Sequence, residues 1–122
     1  MPTLIASLST GKGTWAEVNR IMQSQRWDTI FLITNQFGKE NFTTQSNVQL
    51  VVVDTNLDPT PLCELILQEL RGKITDFDVA LNLVSGSGKE HMAILEAVME
   101  LGLNFRLVSL NKGQFEVMGM RK

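Results

Sequence analysis

The chain has 122 residues, 43% of them hydrophobic, which suffices for one core but leaves no room for a second sizeable domain. We therefore expect a single domain over residues 1–122. The formal net charge of −2 and a pI near 5.3 exclude a global basic surface for duplex DNA or for a membrane. One cysteine argues against a disulfide framework, and no segment is apolar for long enough to span a bilayer. These features predict a cytoplasmic protein that would hold an anionic ligand only locally.

Short apolar runs alternate with amphipathic stretches along the chain. The runs predict strands, and the 3.6-residue periodicity behind capping residues predicts the helices between them. In order, the predicted elements are a strand over 3–8, a helix capped by Thr14 and running to about Gln25, a strand over 28–34, a polar loop with one helical turn over 35–47, a strand over 48–53, a helix capped by Thr60 with Pro61 in its first position, a strand ending at Val84, a helix capped by Ser87, and strands over 104–110 and 115–118.

This order predicts an α/β fold, a Rossmann-like three-layer sandwich. Strands that are joined by helices pair in parallel, with right-handed crossovers and helices on both faces. The turn signal Asn-Lys-Gly at 111–113 reverses the chain, so the last strand should form an antiparallel C-terminal edge hairpin. We expect a mainly parallel six-stranded sheet. Such sheets bind ligands at the carboxyl ends of their strands near the topological switch point, where neighbouring first and fourth strands would bring their loops together.

Ser/Gly/Lys loops follow both of those strands. The second loop leads into a helix that opens at Ser87, where Glu90 completes a capping box. A helix N-terminus behind such a turn presents unpaired N–H groups and a partial positive charge, which suits a phosphate. The alternative is that the glycines only permit a tight turn. The candidate ligand-binding residues are Ser9, Thr10, Gly11, Lys12 and Gly13 in the first loop and Ser85, Gly86, Ser87, Gly88 and Lys89 in the second.

Other known motifs fit poorly. A Walker A loop fails at both Gly-Lys pairs, because neither has the upstream glycine or the following Ser or Thr. The spacing Gly11-x-Gly13-x-x-Ala16 satisfies a loose dinucleotide fingerprint, but no acid follows the second strand to bind a ribose. One His and one Cys give no metal-ligand spacing, so we expect neither metal nor cofactor. His91 is either a half-exposed surface histidine or a neutral general base.

The segment N-L-V-S-G-S-G-K-E-H-M-A at 82–93, followed by E-L-G-L and N-F-R-L-V-S-L, resembles the signature region of the CARF domains, the CRISPR-associated Rossmann-fold sensors. The opening strand with its S-T-G-K-G loop is similar to the first ligand loop of that family, so the resemblance covers nearly the whole chain. Two positions depart from the family pattern, because Ser85 replaces the usual Thr and Ser87 interrupts the glycine pair.

The resemblance implies a homodimer whose ligand loops face each other and bind a cyclic oligoadenylate in CRISPR antiviral signalling. By position, Asn35 and Gln36 would lie on the neighbouring rim, and Ser9 and Lys89 are the candidate catalytic residues. Some stand-alone members cleave the ring without metal, through attack of a ribose 2′-hydroxyl on the adjacent phosphate. The sequence leaves binding and cleavage both open. The alternatives are a mononucleotide- or dinucleotide-binding protein unrelated to CRISPR and an interaction module without a small ligand.

Overall fold

The computed structural model describes residues 2–9, 12–43 and 45–119. Within these ranges the chain forms an α/β sandwich around one six-stranded sheet, so the fold class predicted from the sequence is confirmed. No helix in these ranges has the length and apolar character needed to cross a bilayer. The elements are β1 (Thr3–Leu8), α1 (Lys12–Ser24), β2 (Thr29–Thr34), α2 (Gln36–Asn41), β3 (Val48–Val52), α3 (Pro59–Leu70), β4 (Asp78–Asn82), α4 (Gly88–Glu100), β5 (Asn104–Asn111) and β6 (Gln114–Val117).

The sheet has the strand order β3-β2-β1-β4-β5-β6. Strands β1 to β5 pair in parallel, and β6 pairs antiparallel with β5 as the predicted edge hairpin. Its turn contains Lys112 and Gly113 with φ angles of 54° and 78°, as a two-residue type I′ turn requires. The chain runs outward from β1 to β3 and then returns to β4. The switch point therefore lies between β1 and β4.

Helices cover the sheet on both faces. β1 is buried along its whole length. Leu4 belongs to the apolar cluster that α1 completes, whereas Ile5 belongs to the cluster formed with α3 and α4. Successive side chains of a strand point to opposite faces, so a strand in the middle of such a sheet has to be apolar throughout.

Two predicted helix starts are wrong. α1 begins at Lys12, so Thr14 lies inside its first turn instead of capping it. α3 begins at Pro59 behind Asp58, and not behind Thr60. The first turn of a helix needs no intrahelical N–H partners, so threonine and proline are tolerated within it and do not mark its start uniquely.

β4 ends at Asn82, two residues before the predicted Val84. Its register with β1 stops at the pair Ala6 and Asn82. Beyond this pair, the Ser7 hydroxyl donates a hydrogen bond to the carbonyl of Ser85. A side-chain bond thus replaces the backbone ladder, and the chain leaves the sheet to form the loop.

Candidate functional site

The ends of β1 and β4 are joined through buried serines. The backbone N–H of Ser9 donates to Ser85 Oγ at 3.1 Å, and Ser7 Oγ donates to the Ser85 carbonyl. Ser7 and Ser85 are fully buried, and Ser9 is only 3% exposed. The structure therefore brings together Ser9 of the first predicted loop and Ser85 of the second, because β1 and β4 are neighbours.

The rest of the first predicted loop is only partly described. Thr10 and Gly11 lie outside the described residues, and so does the side chain of Lys12. Gly13 lies in the first turn of α1, and a Cβ added there would have nothing within 4 Å of it. The described part of the site is therefore formed mainly by the loop after β4.

Beneath that loop lies the carboxylate of Glu90, which is only 4% exposed. Its Oε2 accepts from Ser9 Oγ at 2.5 Å, and its Oε1 accepts from both the backbone N–H and the hydroxyl of Ser87 at 3.1 Å. A buried carboxylate is costly unless such donors satisfy it. Glu90 completes the predicted capping box and also ties α4 to the end of β1. The capping-box spacing was visible in the sequence, but the bond to Ser9 was not.

Gly86 is required by the geometry of this contact. Its φ is +101°, a region that other residues enter only with strain. A Cβ at this position would lie 2.8 Å from Glu90 Oε2 and 3.1 Å from Ser9 Oγ. Gly88, by contrast, begins α4 with nothing within 4 Å of such a Cβ. The alternative explanation, that a glycine is needed for the tight turn, therefore applies to Gly86 and does not apply to Gly88.

Two further side chains hold the loop in place. The ring of His91, half-buried, places Nε2 2.8 Å from the Ser85 carbonyl. A carbonyl can only accept, so Nε2 carries the proton and cannot act there as a base. Asn82 donates from Nδ2 to the Val108 carbonyl at 2.8 Å and accepts the Val84 N–H at 3.3 Å. The loop is thus fixed at both its start and its end.

Lys89 is the cation of this loop, and its ammonium is already paired. Its Nζ lies 3.1 Å from Asp58 Oδ1, and the two side chains are 57% and 79% exposed. Exposed pairs of this kind contribute about 0–1 kcal/mol, so an anionic ligand could replace Asp58 at little cost. Asp58 is the N-cap residue of α3 but makes no side-chain capping bond. Because Glu90 and Asp58 are both acids, the net charge of Lys89, Asp58 and Glu90 taken together is not positive.

Asn35 and Gln36 follow β2, whose last residue, Thr34, pairs with Leu8 at the end of β1. Asn35 Oδ1 accepts the N–H of Gly38 at 2.9 Å and caps α2, and Gln36 Nε2 donates to Glu40 at 3.0 Å. Both residues line a cavity of about 550 Å³ beyond the ends of β2 and β3. The two residues therefore lie next to the end of β1, and β1 stands between them and the loop after β4.

The single cysteine lies in a groove between α3 and α4. Cys63 Sγ is 3.8 Å from Glu100 Oε2. Burial raises the pKa of the Cys63 thiol to about 11, and the nearby carboxylate of Glu100 adds to the effect. A hydrogen bond with Glu96 raises the pKa of Glu100 in turn. The thiol is therefore protonated at neutral pH and is a poor nucleophile.

No three His, Cys, Asp or Glu side chains are grouped as metal ligands in the described ranges. No model of a known protein family matches the sequence, and no curated protein matches it. The function is therefore inferred from the geometry of the site and from the resemblance of the segment at 82–93.

Proposed function

We propose that this chain is a CARF-like protein that binds a cyclic oligoadenylate as a homodimer in CRISPR antiviral signalling. The observation that carries the proposal is the meeting of the two loops at the switch point, where Ser9 and Ser85 bond to each other. The buried bonds beneath the loop hold it in one shape. Its outer rim offers Ser87, Gly88 and Lys89, which are exposed, and the N-terminus of α4.

The number of contacts favours a dimer over a single protomer as the binding unit. In one protomer the ammonium of Lys89 is offset by Asp58 and Glu90. A ring of several phosphates that bridges two copies would contact two Lys89 ammonium groups and two α4 N-termini at once. Val84 and Met92 beside the loop are 36% and 62% exposed, and apolar side chains at such a rim suit a protein interface.

Slow cleavage of the ring without metal is the second part of the proposal. The ribose 2′-oxygen bonds to the adjacent phosphorus and loses its proton to water, and the bond from phosphorus to the 5′-oxygen breaks. The leaving oxygen takes a proton from Lys89 or water. In-line placement and stabilisation of the phosphorane-like charge are the main requirements. Lys89 supplies the charge, and Ser9 acts by fixing the loop, because its hydroxyl is bonded to Glu90.

A thermal-shift comparison tests the binding proposal. Cyclic tetra- and hexa-adenylate are compared with ATP, AMP and NAD, since a ligand at about 100 times its Kd adds about 2.7 kcal/mol to the free energy of unfolding. A larger shift with a cyclic oligoadenylate than with ATP, AMP or NAD is expected. A shift only with ATP, AMP or NAD would assign the chain to mononucleotide or dinucleotide binding. No shift with any of them would favour an interaction module.

Lys89→Ala separates binding from cleavage. If Lys89 only holds a phosphate, the loss of one charge-assisted hydrogen bond should weaken affinity by about 1.5–3 kcal/mol, or roughly ten- to 150-fold. If it stabilises the transition state, the rate at saturation should fall while affinity changes less. Lys73→Ala is the matched control, because Lys73 is exposed and pairs with Glu69 on α3.

The cleavage assay uses purified protein in molar excess over labelled cyclic tetra- and hexa-adenylate, with EDTA present. Linear products with a 2′,3′-cyclic phosphate are expected. Full recovery of the intact ring after hours at the growth temperature of the host would leave a protein that only binds the ring.

A further inference from the structure

A cavity of about 550 Å³ lies beyond the carboxyl ends of β2 and β3, beside the switch point. Phe37 and Val52 line it and are 46% and 37% exposed. Behind it, Trp15 supports the Phe37 ring, with the two ring centroids 5.7 Å apart. A supported aromatic ring next to an aliphatic wall offers a flat heterocycle an apolar surface on which to stack.

The polar groups of the cavity match one edge of a purine. Asp54 and Asn56 are exposed, and Asp54 Oδ1 accepts the backbone N–H of Asn56 at 3.0 Å, which holds the two residues side by side. Amide side chains pair with the 6-amino group and N7 of adenine. A carboxylate accepts from a 6-amino group but repels a 6-oxo group, because it has no proton to donate.

The charge of the cavity argues for a base and against a phosphate. Among its described lining residues are the acid Asp54 and no Lys or Arg. Lys89, by contrast, lies after β4, two strands away from β2. Neighbouring strands are about 4.8 Å apart, so the ends of β2 and β3 lie roughly 10 and 14 Å from the end of β4, a span that one nucleotide can bridge.

We propose that this cavity is the adenine subsite of the nucleotide ligand, with Phe37 as the stacking surface and Asp54 and Asn56 as the groups that select a 6-amino purine. The inference deepens the proposed function, since it rests on the binding of an adenine nucleotide at this edge of the sheet. The phosphates then lie towards Lys89 and the base towards β3.

Phe37→Ala tests the stacking surface. Calorimetric titrations use cyclic tetra-adenylate, cyclic hexa-adenylate and AMP, and stacking on an aromatic side chain predicts a loss of affinity of about five- to 150-fold per base. Phe77→Ala is the matched control. Phe77 is 81% exposed and precedes β4, so it lies at the amino ends of the parallel strands, away from the cavity at their carboxyl ends. We expect it to change affinity by less than about twofold. In the wild type, the fluorescence of Trp15 should change on binding, whereas the buried Trp27 should not respond.

Asp54→Asn tests base selection and keeps the size of the side chain. The wild type should prefer adenylate over the matching inosinate by about tenfold or more, and the variant should lose most of that preference, because its amide can donate to a 6-oxo group. Melting curves of all variants show whether they remain folded. Phe37→Leu replaces Phe37→Ala if the alanine variant does not fold.

The outcomes separate this inference from the proposed function. If cyclic oligoadenylates do not bind but AMP does, with the expected losses in the Phe37 and Asp54 variants, the subsite stands and the proposed function falls. If adenine ligands bind but Phe37→Ala behaves like Phe77→Ala and Asp54→Asn keeps the preference, the subsite is refuted. Failure of every adenine ligand at millimolar concentration refutes both.

Discussion

Two neighbouring places at the same edge of the sheet use their polar side chains in opposite ways. After β1 and β4, the groups of Ser9, Ser85 and Glu90 are buried and bond to one another. After β3, Asp54 and Asn56 are exposed beside a cavity. Hydrogen-bonding groups that satisfy each other hold a loop in shape, and those left at the surface are available to a ligand. A Ser/Gly/Lys sequence therefore does not by itself put its hydroxyls against a ligand.

The largest test of this contrast is Glu90→Ala. Removal of the carboxylate leaves the hydroxyl of Ser9 and the N–H of Ser87 without their acceptor, at about 1–3 kcal/mol each. We expect the free energy of unfolding to fall by about 3 kcal/mol in urea titrations. Asp54→Ala, on the exposed side of the contrast, should change it by less than about 0.5 kcal/mol. Similar losses in both variants would contradict the distinction between the buried polar groups after β1 and β4 and the exposed polar groups after β3.

The second-largest expected effect is a loss of stability at alkaline pH, where the thiol of Cys63 titrates. Its pKa is raised from 9.0 to about 11 in the folded protein, so the unfolded chain loses the thiol proton first. The contribution of the protonated thiol to the free energy of unfolding should be fully present below pH 9. The free energy of unfolding should then fall by up to about 2–3 kcal/mol as the pH rises to 11. The chain has no tyrosine to obscure the effect. Cys63→Ala should lose this part of the pH dependence, and an unchanged slope between pH 9 and 11 would refute the assignment.

Gly86→Ala should have the next largest effect. The left-handed backbone costs a non-glycine residue roughly 1–2 kcal/mol, and the new methyl group would lie against Glu90. A loss of about 2 kcal/mol in the free energy of unfolding is expected. Gly88→Ala is the control, because a Cβ added at the start of α4 would have nothing within 4 Å of it. It should be neutral or slightly stabilising, so a larger loss at Gly88 than at Gly86 would show that the loop is held differently.

The smallest expected effect comes from Asp58→Asn. Its stability should change by less than about 0.5 kcal/mol, because the pair with Lys89 is exposed. Affinity for a cyclic oligoadenylate should rise about two- to fivefold at low salt and less at high salt, since Lys89 no longer has to leave Asp58. Glu64→Gln removes one negative charge from α3, the helix that begins behind Asp58, without a contact to Lys89, and it should not reproduce the gain. Equal gains in the two variants would attribute the effect to net charge alone.

Much of the fold could be predicted because its signals are local. The apolar run of β1 and the turn at Lys112 and Gly113 act through neighbouring residues. So does the capping box of Ser87 with Glu90. The helix starts at Thr14 and Thr60 were predicted wrongly, since more than one residue nearby can occupy a first turn.

The candidate site was less predictable, because its contacts join distant parts of the chain. The bond between Ser9 and Glu90 joins residues 81 positions apart, and the pair of Lys89 with Asp58 joins residues 31 positions apart. No spacing rule relates such residues. The sequence also offered no sign that Phe37, Asp54 and Asn56 would line one cavity.

The sequence by itself determined the alternation of strands and helices, the antiparallel hairpin and the two polar loops, because periodicity, caps and turns depend on residues close in the chain. The tertiary structure alone decided which of those polar groups are buried and which face solvent. That decision depends on the strand order, which places β1 beside β4 and leaves the end of β3 at an open cavity. Burial is a property of the packed chain, and so the hydroxyl of Ser9 became part of the core while Asp54 stayed at the surface.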